Sequence, residues 1–231
     1  MKEFMEASPL KILEKSSRGG LGPGNMGVLI ARAGVGKTVC LIHIAFDKIL
    51  RQQKLIHISL EEGPDKVMSY YNVIYSDLLE ALDFANDTEV RLLVDRNRMI
   101  LAYLNQSFEA ERLRANLKNL AENTAFRPDT LLVDGLDFEN LGRSFFEGFK
   151  GIAKEFDTEI WCSALSHRHV TEVNERGIPH PCLELDDLFS LILYLQPEPS
   201  GVYLRLLKDH DNPMIPDCSI RLDPNTLLTL E

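Results

Sequence analysis

The chain has 231 residues, of which 45% are apolar and 26% charged, and a formal net charge of −10. That balance excludes a disordered, fibrous or low-complexity protein, and it argues against indiscriminate binding to nucleic acid or anionic membranes, which needs clustered Lys and Arg. The apolar runs, such as residues 188–195, stop far short of the roughly 20 residues of a membrane helix, so no membrane partner is predicted.

Residues 1–18 mix Lys2, Glu3, Glu6, Lys11, Glu14 and Lys15 and lack the apolar core of a secretory signal. Cys40, Cys162, Cys182 and Cys218 lie far apart with no Cys-x-x-Cys pair, so a cytoplasmic, reduced protein is expected. A single domain over residues 1–231 is predicted, with an N-terminal lead-in at 1–26 and a C-terminal β extension at 188–231.

In chain order, Gly27-Val28-Leu29-Ile30 reads as a buried strand, followed by a nearly all-apolar helix at 37–52. Residues 55–60 read as a second strand, ended by Gly63-Pro64, and a helix is expected with Asp65 as its N-cap. A strand at 98–104 follows, then a helix capped by Ser107, with Leu113, Leu117 and Leu120 along one face. Residues 130–133 form a short strand, 141–156 an amphipathic helix and 159–164 another strand. This alternation predicts an α/β fold with a mostly parallel sheet flanked by helices. Runs at 188–195 and 202–207, with shorter ones at 218–222 and 227–230, predict an antiparallel C-terminal extension.

The chemistry concentrates first in Ala31-Arg32-Ala33-Gly34-Val35-Gly36-Lys37-Thr38, between a predicted strand and a predicted helix. This is a P-loop, with alanine at the first glycine position. Gly34 and Gly36 let successive amides turn toward phosphate oxygens, and the helix amino terminus adds its positive dipole end. Ala33, Gly34, Val35, Gly36, Lys37, Thr38 and Val39 are the expected nucleotide contacts, with Lys37 on the β and γ phosphates. Thr38 is an expected Mg²⁺ ligand, and Asp134, closing the apolar run Leu131-Leu132-Val133, is the second, with Asp137 as fallback. Glu61 and Glu62 close the strand after the P-loop helix, and one of them is expected to activate the attacking water.

With these motifs the chain resembles the RecA-like P-loop ATPases of the KaiC and DnaB branch. The resemblance runs from Gly19-Gly20-Leu21-Gly22-Pro23-Gly24 through the P-loop, Ile58-Ser59-Leu60-Glu61-Glu62, residues 131–134 and Cys162-Ser163-Ala164-Leu165-Ser166-His167-Arg168. It implies a sensor strand between the P-loop and Asp134 strands, with His167 where a polar residue reads the γ-phosphate. It also implies a ring or filament of identical subunits, commonly six. Lys208 and His210 fall where the family carries a Lys-x-Arg finger that reaches a neighbour's nucleotide, but histidine replaces the arginine, which points to slow turnover.

The expected function is therefore a Mg-ATP-binding, slowly hydrolysing oligomeric ATPase with a regulatory or conformational-switch role and a protein partner the residues do not name. The alternatives are a non-hydrolysing nucleotide-dependent scaffold and a DNA-dependent recombinase or helicase-like ATPase. Against nucleic acid, Arg168 and Arg176 are offset by Glu172 and Glu175, and no basic stripe with stacking aromatics is present. A metal held by His167, His169, His180 and Cys182 is the weakest alternative. ATP rather than GTP is implied by the resemblance, since no Asn/Thr-Lys-x-Asp run reads guanine.

Overall fold

A computed structural model describes residues 7–16, 18–82, 87–103, 108–124, 126–212, 215 and 218–230. Eight strands are present: β1 (Met26–Arg32), β2 (Leu55–Ser59), β3 (Arg98–Ala102), β4 (Thr130–Asp134), β5 (Glu159–Ser166), β6 (Leu191–Glu198), β7 (Gly201–Asp209) and β8 (Ser219–Leu222). They join in one sheet, in the order β3-β2-β4-β5-β1-β6-β7-β8. The first six are parallel, and β7 and β8 add antiparallel at one side. β5 lies between β1 and β4, as the resemblance implies for a sensor strand.

The helices are α1 (Lys37–Leu50), α2 (Pro64–Leu82), α3 (Asp87–Asn97), α4 (Ala110–Asn123) and α5 (Arg143–Glu155). Because successive strand residues face opposite sides, the buried strands split their apolar side chains between two cores. Leu29, Leu132, Trp161 and Leu193 pack under α1, α2 and α3. Val28, Ile30, Leu131 and Val133 pack under α4 and α5. α1 is covered almost all round, as its composition predicts. Trp161 lies against Gly27, where an added Cβ would stand 2.6 Å from the indole, so β1 and β5 approach closely only because residue 27 has no side chain.

Several boundaries differ from the sequence expectations, each for a local reason. α2 begins at Pro64, whose missing amide suits a first helical position, so Asp65 lies inside the first turn instead of capping it. Ser107 lies outside the described residues, and α4 starts after Glu109. α3 has no counterpart among the expected elements: its apolar residues are few, and it packs on α1 through a narrow stripe that includes Val94. Leu188 belongs to a short 3-10 turn (Asp186–Leu188) and not to β6. Residues 227–230 form no strand; they make a turn and a single bridge between Leu222 and Thr229.

Candidate functional site

In a parallel sheet every strand delivers its C-terminal residue to the same end, and ligands of such folds bind there. β1 delivers the loop 32–37, β2 delivers Glu61 and Glu62, β4 delivers Asp134 and β5 delivers His167. The loop turns through Gly34 at φ +75° and Gly36 at φ +107°, a region L side chains disfavour. Gly36 is the N-cap of α1 and has no side chain to satisfy the first amides of that helix, which leaves them as donors for an anion. Ala33 and Gly34 are exposed; Val35, Gly36, Lys37, Thr38 and Val39 are half-buried.

Thr38 and Asp134 meet directly: the Thr38 hydroxyl donates to Asp134 Oδ2 at 2.6 Å. The other carboxylate oxygen, Oδ1, accepts from the Ser163 hydroxyl at 2.6 Å, and Ser163 Oγ accepts the Gly135 amide at 3.1 Å. Asp134 is thus held from α1 on one side and from β5 on the other. The sequence puts Ser163 on the expected sensor strand without marking a role for it; its one signal is a polar residue inside an otherwise apolar run.

Glu61 packs on Gly135, where a Cβ would lie 2.7 Å from Glu61 Cγ, so the glycine after Asp134 makes room for this side chain. The Glu62 amide donates to Ser59 Oγ at 3.0 Å, which turns the chain at the strand end and leaves both glutamates exposed. Asp137 instead accepts from Asn140 in a local turn, so the fallback carboxylate does not join the site. Beneath β2, burial pushes His57 down to about 4, and its Nδ1 lies 3.1 Å from the Tyr71 hydroxyl.

His167 contacts Glu139, Nε2 to Oε1 at 3.0 Å, and stacks on His169. Among the described residues no three His, Cys, Asp or Glu side chains are grouped as a metal site would need, which leaves the His167, His169, His180 and Cys182 alternative without support. No helix among the described residues is long and apolar enough to cross a membrane.

Lys208 and His210 stand apart from this group. They lie at the end of β7, which runs against β6, so within one chain they are at the opposite end of the sheet from the phosphate loop. His210 is 6% exposed, with Nδ1 at 2.9 Å from Asp209 Oδ1 and Nε2 at 3.1 Å from the Leu21 carbonyl. Lys208 donates to the Asp186 carbonyl at 2.5 Å, and burial lowers its pKa. Both side chains turn into their own chain. A finger reaching a neighbour's nucleotide would have to leave these partners first.

Among solved structures the chain is similar to the ATPase domain of a DnaB-family helicase. The TM-score is 0.70 over 97% of this chain and 90% of that one, at 16% identity. At that identity the likeness is one of fold, and the fold is that of the RecA-like P-loop ATPases, with a mostly parallel sheet and antiparallel C-terminal strands. No family model matches the chain, and no curated protein matches it.

Proposed function

We propose that the chain binds Mg-ATP at residues 33–39 and hydrolyses it slowly, as an oligomeric ATPase whose output is a conformational or assembly change. The observation that carries this reading is the convergence of Thr38, Asp134 and Ser163 beside the uncapped amino terminus of α1. The amides of Gly34, Val35 and Gly36, flanked by Ala33 and Val39, receive the phosphates, and the Lys37 ammonium neutralises the β and γ groups. The Thr38 hydroxyl and Asp134 carboxylate are hard oxygen donors within reach of one another, a pair that fits Mg²⁺. When bound, the ion supplies charge neutralisation across the β–γ bridge. Glu61, braced on Gly135, or Glu62 orients the attacking water and accepts its proton, and His167 contacts the γ-phosphate.

The inward-turned Lys208 and His210 favour a second reading, in which nucleotide binding alone sets the state of a scaffold and turnover is dispensable. Glu62→Gln separates the two, because it stops turnover in the first and leaves the output of the second intact. A DNA-dependent ATPase has the least support, since Arg176, in the segment that would face DNA, is paired with Asp186 at 2.9 Å.

The deciding experiment is Mg²⁺-dependent ATP turnover per protomer over a wide range of protein concentration. Specific activity that rises with concentration is expected if subunits complete one another's sites. Tight binding without turnover at any concentration supports the scaffold, and failure to bind Mg-ATP at all overturns both.

A further inference from the structure

β8 runs in the same direction as β1, so Leu222 reaches the same end of the sheet as the phosphate loop. Residues 223–228 then fold into a tight turn. Asp223 Oδ1 accepts the amides of Asn225 and Thr226, each at 2.9 Å, and the Thr226 hydroxyl at 3.2 Å. The Thr226 and Asn225 amides hold the Asp223 carboxyl below the usual carboxylate range. The backbone closes the turn as well: the Leu227 amide donates to the Asp223 carbonyl at 2.9 Å, and the Asp223 amide to the Leu228 carbonyl at 2.8 Å.

Two features of this turn meet at the P-loop. Leu227 has φ +56°, a left-handed conformation that branched side chains disfavour. Its side chain is 2% exposed, and its Cδ1 lies 2.7 Å from where a Cβ on Gly36 would stand. Further along the same helix, His43 Nε2 donates to the Thr226 carbonyl at 2.8 Å, so the turn is tied to α1 beside the contact. Strained residues persist only where their surroundings over-determine them, and they concentrate at ligand clamps.

We propose that the C-terminal turn 223–228 is a positioning element of the phosphate loop, with Leu227 as the wedge that holds Gly36, and the amides beside it, in their anion-binding arrangement. Glycine at 36 is required twice, by its φ of +107° and by the space Leu227 occupies. Leu227 cannot retreat, because Asp223 fastens its turn on one side and His43 on the other. The first turn of α1 therefore has a fixed support behind it, built from a segment at the far end of the chain. Leu227 acts through Gly36 and does not itself touch a phosphate.

This inference rests on the nucleotide reading of the loop, and its test separates the two. Mg-ADP and Mg-ATP are titrated by calorimetry into the wild-type chain and into Lys37→Ala, Leu227→Ala, Leu227→Met and Asp223→Ala, each first shown to unfold cooperatively. Leu227→Ala should weaken Kd for both nucleotides about tenfold, the size of one misaimed charge-assisted hydrogen bond. Leu227→Met should return Kd to within about twofold of wild type, because an unbranched apolar chain refills the space. Wild-type Kd in folded Leu227→Ala and Asp223→Ala overturns the proposal while leaving the nucleotide reading standing. No binding by the wild-type chain overturns the nucleotide reading itself. Should Leu227→Ala fail to fold, Asp223→Ala decides, since its side chain fastens the turn without lining the loop.

Discussion

The two ends of the parallel strands carry similar residue types and put them to opposite uses. At the C-terminal end the loops are open, and Lys37, Thr38, Glu61, Glu62 and Asp134 gather beside helix amides that no side chain caps. At the other end Asp47, Glu159, Asp209 and His210 are buried, Lys48 is nearly so, and all are committed to partners within the chain. Lys48 meets Glu159 at 2.6 Å, Arg51 meets Asp47 at 3.1 Å, and Ser16 donates to Asp209 at 2.8 Å. Charges that satisfy one another hold the fold, whereas charges gathered around free donors are available to a ligand.

Removing one charge from each end tests this contrast most severely. Lys37→Ala should lower ATP turnover by roughly 1,000-fold, the scale of a lost charge-stabilising donor, while leaving the unfolding midpoint in place. Lys48→Met should do the reverse. It strands the buried Glu159 carboxylate and should cost about 3 kcal/mol of stability in urea unfolding, with nucleotide Kd unchanged in the folded protein. If either variant moves both readouts strongly, the two ends are not separate in function.

A third prediction concerns pH. Burial pushes His43 and His57 down to about 4, below the ordinary histidine value. The unfolded chain therefore takes up protons that the folded chain refuses, so stability is full above the ordinary histidine range and is lost as pH falls toward about 4. Each histidine should contribute a slope of up to about 1.4 kcal/mol per pH unit in that window. Asp47, whose carboxyl burial raises, works in the opposite direction. Urea midpoints at about pH 7 and about pH 5 measure the net slope, and His43→Gln should remove about half of the histidine contribution. Equal midpoints at the two pH values would count against buried neutral imidazoles.

The smallest expected effect lies within the nucleotide end itself. Ser163→Ala removes one of the two hydroxyls that hold Asp134 and leaves the Gly135 amide without its acceptor. Loss of about 1 kcal/mol of positioning should raise the Mg²⁺ concentration needed for half-maximal turnover about fivefold. An unchanged Mg²⁺ dependence would make Ser163 a packing residue only.

The features that can be read from sequence are those with local signals. The P-loop follows from eight consecutive residues, and Asp134 from an apolar run that ends in a carboxylate. The parallel sheet follows from the alternation of strand and helix patterns. Contacts between distant segments leave no such mark. Nothing local distinguishes Ser163 from any strand serine, and its role exists only because β5 lies beside β4. The contact of Leu227 with Gly36 is invisible for the same reason. The seat of His210 is a further case, because a match in sequence position carries no information about which way a side chain turns. Its inward direction depends on Asp209, Leu21 and the register of β7 on β6.

The close seat of Trp161 on Gly27 gives the protein a built-in optical probe. It is the only tryptophan in the chain, 1% exposed, and its indole nitrogen finds no hydrogen-bond partner among the described residues. Its emission should therefore be blue-shifted in the native state and should move to the red when β1 and β5 part. Because it stands near the start of those strands, away from the phosphate loop, it reports the opening of the core and is largely blind to what binds at the far end.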